Sequence, residues 1–261
     1  MISILGIPYD AGSSFLKGAV HGPAVIRRCF SSPSSNTFSE NEVDVGNHPQ
    51  IDYQDDLGLG TGRNARDQIE SAIRNLVMDG HKVLSLGGDH SITYPILKGY
   101  ASKFGKLNVL QFDAHPDLHP EFEGDLYSHA CPFARAFDDQ LINHLTQVGI
   151  RTINNSQRAQ IDKFEVEVIT ARDFQFTEME LTDPVYISLD LDVFDPAFAP
   201  GVSHHEPGGL SVRDVIAAIQ DLPVPIIGAD IVELNPTRDT NEMTGMVAAK
   251  CMKELLAKML D

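Results

Sequence analysis

Short apolar runs alternate along the chain with longer segments in which apolar residues recur at helical spacing. The apolar runs predict strands at residues 2–7, 83–86, 107–112, 147–150, 166–169, 185–191 and 226–234. Several runs are apolar at every position, which is typical of strands buried on both faces of a parallel sheet. The remaining periodic segments predict helices at residues 23–29, 65–78, 92–103, 132–145, 212–219 and 243–260. This alternation predicts an α/β fold with one central, mostly parallel sheet and helices on both faces.

Two stretches interrupt the alternation. Residues 31–61 are rich in Ser, Asn, Asp and Gly, and we expect a surface excursion there without a long element. Residues 195–209 contain Pro196, Pro200 and Pro207, which predict a stiff loop directly after a strand. Neither stretch has the composition of a linker, so we expect a single domain spanning residues 1–261.

The chain carries 37 acidic and 20 basic side chains, a formal net charge of −17 with histidine neutral. This charge argues against nucleic acid and anionic membranes as partners, and it suits a cationic small molecule or metal ions. An acidic cytosolic protein of any function would also have it. No run approaches the ~20 apolar residues of a membrane span. The 3 cysteines exclude a disulfide scaffold and favour a reducing compartment, so we expect a cytoplasmic protein.

Acidic and histidine residues follow four of the predicted strands at the point where each strand ends. In an open parallel sheet, ligands bind beyond the carboxyl ends of the strands. Residues two apart in extended backbone also point to the same side, which lets neighbouring acids and imidazoles converge. The residues concerned are His90, then Asp113, His115 and Asp117, then Asp190 and Asp192, and finally Glu233.

A charge count indicates two metal ions at this edge of the sheet. Asp113, Asp117, Asp190 and Asp192 bring four negative charges into one cleft, which two divalent cations would cancel. Oxygen and imidazole ligands suit Mn²⁺, Fe²⁺, Ni²⁺ or Zn²⁺. We expect the ions ~3.5–4 Å apart, with a water between them acidic enough to ionise near neutral pH. Taken singly, each motif would also fit a Mg²⁺ or Ca²⁺ site or helix-capping acids.

The motifs, in this order, resemble the ureohydrolase family of arginases, agmatinases and their relatives. Residues 87–91 (Gly-Gly-Asp-His-Ser), 113–117 (Asp-Ala-His-Pro-Asp) and 188–196 are similar to the family's three metal motifs. Residues 117–133, 201–209 and 228–236 are most similar to plant-type arginases, and the resemblance covers nearly the whole chain. It implies a three-layer α/β/α fold of the arginase/deacetylase type, with the active site at the C-terminal strand ends. It also implies a dimanganese hydrolase that releases urea from a guanidino compound, assembled as a homo-oligomer, either trimer or hexamer.

The resemblance assigns roles position by position. It implies one metal held by His90, Asp113, Asp117 and Asp190, and a second held by Asp113, His115, Asp190 and Asp192. The catalytic set comprises His129, Glu233 and Asp117, with His129 as a proton shuttle to the leaving amine. Glu233 receives the guanidinium, which a carboxylate can bind through two hydrogen bonds. His129, Asn154 and Glu233 form the substrate-binding set, and Asn154 falls where animal arginases use an acid near the α-amino group.

Departures from the plant-type pattern leave the substrate open. Acidic residues at Glu121, Glu123 and Asp125 would repel a carboxylate and tolerate an amine, which favours agmatine. Overall similarity favours L-arginine. A further alternative is a two-metal amide or formimino hydrolase, for example one that hydrolyses formimidoylglutamate. A metal-stabilised subunit that has lost turnover is the non-catalytic alternative. We interpret His204 and His205 as loop walls and Cys131 as structural, and we expect no nucleic-acid or membrane partner.

Overall fold

A parallel sheet lies at the centre of the computed structural model, which describes residues 1–174, 179 and 181–261. Within these residues the strands are β1 (Ile2–Ile7), β2 (Ile51–Tyr53), β3 (Lys82–Gly87), β4 (Leu107–Phe112), β5 (Ile142–Ile150), β6 (Glu167–Thr170), β7 (Val185–Asp190) and β8 (Ile226–Val232). Their spatial order is β2-β1-β3-β8-β7-β4-β5-β6, and every neighbouring pair is parallel.

Helices cover both faces of the sheet. They are α1 (Gly22–Phe30), α2 (Gly62–Met78), α3 (Thr93–Phe104), α4 (Pro132–Asp138), α5 (Asn155–Phe164), α6 (Val212–Gln220) and α7 (Met243–Leu260). Ile4 of β1 packs in a core cluster with residues of α1, α6 and α7. The next residue, Leu5, belongs to a second cluster built from α2, α3, α4 and α5. Because adjacent strand residues point to opposite faces, these two cores lie on opposite sides of the sheet, and the predicted three-layer α/β/α fold is confirmed.

The predicted helix 132–145 is wrong beyond residue 138. Helix α4 ends at Asp138, and β5 begins at Ile142 and pairs with β4. The helix ends in a Schellman motif, in which the Gln140 amide donates to the Phe137 carbonyl and the Leu141 amide to the Ala136 carbonyl. Gln140 takes the left-handed conformation, with φ 57°, that glycine usually occupies at this position. Without that glycine, the sequence gives little sign of the helix end.

Two elements were not predicted. The short edge strand β2 lies inside the 31–61 excursion, and its residues are exposed or half-buried. Helix α5 buries only Gln157 and Ile161, so its apolar periodicity is weak. The sequence feature that could have indicated this helix is the capping box formed by Asn154 and Gln157 at its start. The loop at 195–209 is confirmed: neither a helix nor a strand lies between the bridge residues Phe194 and Leu210. The described helices include none long and apolar enough to cross a membrane.

Candidate active site

Four adjacent strands, β3, β8, β7 and β4, place the predicted site residues at one edge of the sheet. His90 begins a short 3₁₀ turn directly after β3, and Asp190 is the last residue of β7. The turn after β3 packs closely against the loop after β1: a Cβ added at Gly88 would lie 1.9 Å from the Tyr9 carbonyl oxygen. Glycine is therefore required at this position for the His90 turn to reach the site.

The first group of side chains surrounds the His90 imidazole. Its Nδ1 lies 3.2 Å from Asp113 Oδ2, 3.0 Å from Asp117 Oδ2 and 3.1 Å from Asp190 Oδ2. All four residues are buried. His90 Nδ1 itself makes no directional hydrogen bond with any described residue. An imidazole nitrogen facing three carboxylate oxygens in this way is the donor arrangement that binds a cation.

A second group forms around His115. Its Nδ1 lies 2.9 Å from Asp192 Oδ2 and 3.6 Å from Asp113 Oδ1. Asp113 therefore directs one carboxylate oxygen toward each histidine, and either group could hold one metal ion. The structure thus brings together the six residues predicted as metal ligands, and Asp113 belongs to both groups.

Buried hydrogen bonds fix which nitrogen of His90 faces the acids. The Ser188 hydroxyl donates to Asp230 Oδ1 at 2.7 Å, so its oxygen is left to accept from His90 Nε2 at 2.9 Å. Asp230 also accepts hydrogen bonds from Thr93 and Tyr186. With its proton on Nε2, His90 presents the Nδ1 lone pair to the carboxylates. Such an outer carboxylate–hydroxyl–imidazole chain is typical of metal-binding histidines.

Burial and mutual repulsion make this cluster unfavourable without positive charge. Burial raises the pKa of Asp190 well above its usual value, and the charges of Asp192 and Asp113 raise it further. Burial opposes the charged form of His115, but the charges of Asp192 and Asp113 outweigh it and raise its pKa to about 12. The raised pKa of His115 keeps a positive charge beside the acids. The donor set of carboxylate oxygens and imidazole nitrogens also fits divalent cations.

Glu233 follows β8 and contributes an acid that belongs to neither group. Its backbone has φ 66°, an uncommon left-handed conformation for a residue with a side chain. Oε1 accepts hydrogen bonds from the His90 amide at 2.9 Å and from His129 Nδ1 at 3.2 Å. Oε2 is buried and has no hydrogen-bond partner among the described residues. Glu233 therefore offers a free carboxylate oxygen beside the cluster.

His129 is held at both ring nitrogens. Nδ1 donates to Glu233, and Nε2 lies 2.9 Å from the Ser14 hydroxyl. Although burial disfavours the imidazolium, the hydrogen bond and charge of Glu233 raise the pKa of His129 to about 9. The ring also stacks on His204, with centroids 5.1 Å apart. His129 is therefore positioned to carry a proton at neutral pH.

These groups open into one cavity of about 190 Å³. Its wall includes six of the predicted site residues: His115, Asp117, His129, Asp190, Asp192 and Glu233. Six further residues complete the wall: Ser14, His119, Phe122, Ala130, Gln157 and His204. Sequence reasoning did not identify Ser14 or Gln157. Ser14 lies in the loop after β1, far along the chain from every motif, and Gln157 was marked only by its capping box.

The other predicted residues lie around this cavity. Asn154 is exposed and bonds to two lining residues, His119 and Gln157, without being part of the described lining itself. His204 lines the cavity, as expected of a loop wall, whereas the exposed His205 donates to the Pro200 carbonyl. Cys131 is buried, and burial raises the pKa of its thiol to about 12, in keeping with a structural role.

The three acids of the 121–125 loop are exposed and are not among the described residues that line the cavity. Asp125 and Phe122 pair across a tight turn in which Glu123 and Gly124 both have positive φ. This turn places Phe122 in the cavity wall and leaves the acids Glu121, Glu123 and Asp125 exposed to solvent. Their charges therefore give a weaker argument against a carboxylate-bearing substrate than the sequence indicates.

Comparison with known proteins agrees with this geometry. The sequence profile of the Arginase family matches residues 1–257. The chain is 43% identical to "Arginase 1, mitochondrial" of Arabidopsis thaliana, over 98% of this chain and 80% of that protein. It is 33% identical to an agmatinase of Escherichia coli (strain SE11), over 97% of this chain and 85% of that protein. The solved structure of an arginase from Medicago truncatula superimposes with a TM-score of 0.92 and 38% identity, over 99% of this chain and 87% of that one. This chain belongs to the arginase family.

Proposed function

We propose that this protein hydrolyses the guanidino group of L-arginine to urea and L-ornithine, with two Mn²⁺ ions as cofactors. The observation that carries the proposal is the free Glu233 Oε2, buried beside a cluster of carboxylates and imidazoles. A buried carboxylate oxygen without a donor suits a planar cation that brings its own N–H groups. The arginase relatives support the choice of reaction.

The six clustered residues would hold the metals. His90, Asp113, Asp117 and Asp190 would bind one ion, and Asp113, His115, Asp190 and Asp192 the other. When bound, two divalent cations supply positive charge and activate water as a nucleophile near neutral pH. We favour Mn²⁺ because the resemblance to the arginase family implies it; the carboxylate oxygens and imidazole nitrogens, with no thiolate in either described group, suit Mn²⁺ as they suit other first-row divalent ions.

Glu233 would bind and orient the substrate. Its Oε1 is committed to the His90 amide and His129, which fixes the direction of Oε2. A guanidinium that donates to Oε2 is held with its central carbon near the cluster. Holding the reacting groups in this arrangement lowers the entropic barrier to attack. Attack by water forms a C–O bond to that carbon as the water gives up one proton to solvent. The hydroxyl proton then leaves as the C=O bond of urea forms, the bond from the carbon to the side-chain nitrogen breaks, and that nitrogen gains a proton.

His129 would supply that proton. Since its pKa is about 9, the ring is protonated at neutral pH, with Glu233 and Ser14 each accepting one of its N–H groups. Proton transfer from His129 to the departing nitrogen leaves a neutral imidazole and releases the amine. The stacked ring of His204 excludes solvent from one side of His129.

The test is a urea-release assay with Mn²⁺-loaded protein on L-arginine, agmatine, guanidinobutyrate and formiminoglutamate at equal concentration. We expect the highest kcat/KM with L-arginine and no metal-dependent activity in Asp190→Ala, which loses a residue of the first group. Full activity of Asp190→Ala, or formamide in place of urea, would overturn the proposal.

A second candidate is hydrolysis of agmatine, which lacks the α-carboxylate. One observation favours it: neither Lys nor Arg is among the described residues that line the cavity. A higher kcat/KM for agmatine than for L-arginine in the same assay would identify this activity.

A further inference from the structure

A row of buried polar side chains crosses the apolar sheet beneath the candidate active site. Gln111 of β4 lies opposite both Gln147 of β5 and Ser188 of β7, and Ser188 lies opposite Asp230 of β8. All four side chains are fully buried, where a polar group costs free energy unless it is hydrogen-bonded. The hydrogen bonds of Ser188 and Asp230 orient His90. The contacts of Gln111 and Gln147 therefore indicate what the other half of the row does.

Gln147 has only one orientation that suits its neighbours. Its Nε2 donates hydrogen bonds at 2.6 Å to the Pro116 backbone carbonyl and to Gln111 Oε1. A backbone carbonyl can only accept, so the nitrogen, and not the oxygen, must face Pro116. Gln147 Oε1 is buried and has no hydrogen-bond partner among the described residues. Since an unpaired buried oxygen is unfavourable, stability alone does not explain this pair of amides.

Gln111 is oriented by this contact. Because its Oε1 accepts from Gln147, its Nε2 points toward the loop after β4. Nε2 donates to the His115 backbone carbonyl at 3.1 Å and to Asp113 Oδ2 at 2.7 Å. The His115 carbonyl also only accepts, so it independently requires the nitrogen on this side. The row thus delivers one N–H donor to a carboxylate oxygen of the candidate metal site.

The two oxygens of Asp113 are held by different kinds of donor. Oδ1 accepts from the His115 backbone amide at 2.6 Å, and it faces the His115 imidazole. Oδ2 accepts from the Gln111 side chain and lies 3.2 Å from His90 Nδ1. A carboxylate oxygen has about two lone-pair sites, so one N–H donor leaves the other site for a cation. The Gln111 amide is neutral, so Asp113 keeps the negative charge that attracts a cation.

We propose that Gln111 is a positioning residue that keeps one oxygen of Asp113 directed toward each histidine, so that this carboxylate binds both metal ions. The inference rests on the two-metal site of the proposed function, and it names the side chain that makes Asp113 a bridge. Without the Gln111 N–H, the backbone donor still holds Oδ1, but Oδ2 is free to turn away from His90. The ion in the His90 group is therefore the one that depends on Gln111.

Gln111→Met removes the donor and keeps an unbranched side chain of similar length. Loss of a residue that orients a metal ligand typically weakens binding by about 10–100-fold, so we expect that loss for one Mn²⁺ ion in a chelator-competition titration. The second ion, whose ligands include the backbone-held Oδ1, should lose less. Thermal melts with and without Mn²⁺ separate this role from a structural one. The rise in Tm caused by Mn²⁺ should shrink in the variant, whereas a purely structural residue would lower Tm equally in both conditions.

Gln147→Met tests the other member of the pair. Among the described contacts, Gln147 reaches Asp113 only through Gln111, so this variant should weaken Mn²⁺ binding less than Gln111→Met does. The double variant should bind Mn²⁺ no more weakly than Gln111→Met alone, because the two residues act in series. Replacing both partners of a buried hydrogen bond by apolar side chains is also tolerated better than replacing one. The double variant therefore measures the effect even where a single variant folds poorly.

Thr146→Val is the matched control. Thr146 lies beside Gln147 in β5, is fully buried, and donates from its hydroxyl to Glu167 Oε2 at 2.8 Å. Valine keeps the shape and removes this hydrogen bond, and neither described group of potential metal ligands contains Thr146. Its Mn²⁺ affinity should stay within about twofold of the wild type. Unchanged Mn²⁺ affinity in Gln111→Met, or losses that add in the double variant, would overturn the inference.

The titrations measure metal binding and need no turnover, which keeps this inference separate from the proposed function. If the wild type binds two Mn²⁺ ions but releases no urea, the proposed function fails, and the variants still decide the role of Gln111. If the wild type binds fewer than two ions, the inference is overturned whatever the activity.

Discussion

Replacing Glu233 with glutamine removes one negative charge from the substrate pocket and keeps the shape of the side chain. Glu233 Oε1 already accepts from the His90 amide and from His129 Nδ1, so the oxygen of a glutamine should take that position. Its NH₂ group then replaces Oε2, the buried oxygen without a partner. The substrate guanidinium would meet two donors in place of an acceptor.

The magnitude follows from burial. Glu233 is 4% exposed, and removing one partner of a buried charge pair costs ~3–5 kcal/mol. At 1.36 kcal/mol per factor of ten, kcat/KM for L-arginine should fall by roughly 150-fold to 5,000-fold. Neither group of potential metal ligands contains Glu233, so the metal content should not change.

The assay combines steady-state urea release with metal analysis of the same preparation. Glu206→Gln is the matched control, because it makes the same chemical change at a 40% exposed carboxylate 3.8 Å from His115 Nε2. Exposed pairs contribute ~1 kcal/mol or less, so this control should lose less than about fivefold. A Glu233→Gln variant that retains wild-type kcat/KM, or one that loses its metals, would refute the assigned role.

Two further predictions concern the metal site and the 31–61 excursion. Ser188→Ala removes the acceptor of His90 Nε2, and we expect metal affinity in a chelator-competition titration to fall by about 10–100-fold; unchanged affinity would contradict this. The hydrogen bonds from Arg213 lower the pKa of Glu40 from its ordinary value of 4.5 to about 2. The stability that ionised Glu40 contributes is therefore fully present above pH 4.5 and is lost as the pH falls toward 2. Glu40→Gln should therefore lower Tm by about 2 °C at pH 7, with a difference that shrinks between pH 5 and pH 3, and a pH-independent difference would argue against it.

The sequence was sufficient to predict that the carboxylates and imidazoles of the candidate site lie together, because they follow the ends of neighbouring strands. Parallel strands bring their carboxyl ends to one edge, which places Asp113, His115 and Asp117 beside the other strand ends. The extended backbone expected beyond β4 is not present, because residues 114 and 115 form a bend and Asp117 has φ 49°. The apolar runs indicated where those strands lie. The convergence of His90 and Asp190 on Asp113 then followed from the topology.

The cavity-lining residues that do not follow a strand end could not be predicted in this way. Ser14 and Gln157 come from a loop and a polar helix, and their neighbours in space are distant along the chain. Likewise, the chain leaves α4 through the left-handed residue Gln140, at a position where a glycine would have been visible in the sequence. Such features depend on tertiary packing, which overrides weak local preferences.

In the proposed site, two cations share Asp113. Anomalous X-ray diffraction at the manganese edge, on crystals grown with Mn²⁺, tests it directly. We predict two peaks ~3.5–4 Å apart, one on each carboxylate oxygen of Asp113. A single peak, or two peaks that do not contact Asp113, would contradict a site in which Asp113 joins two ions.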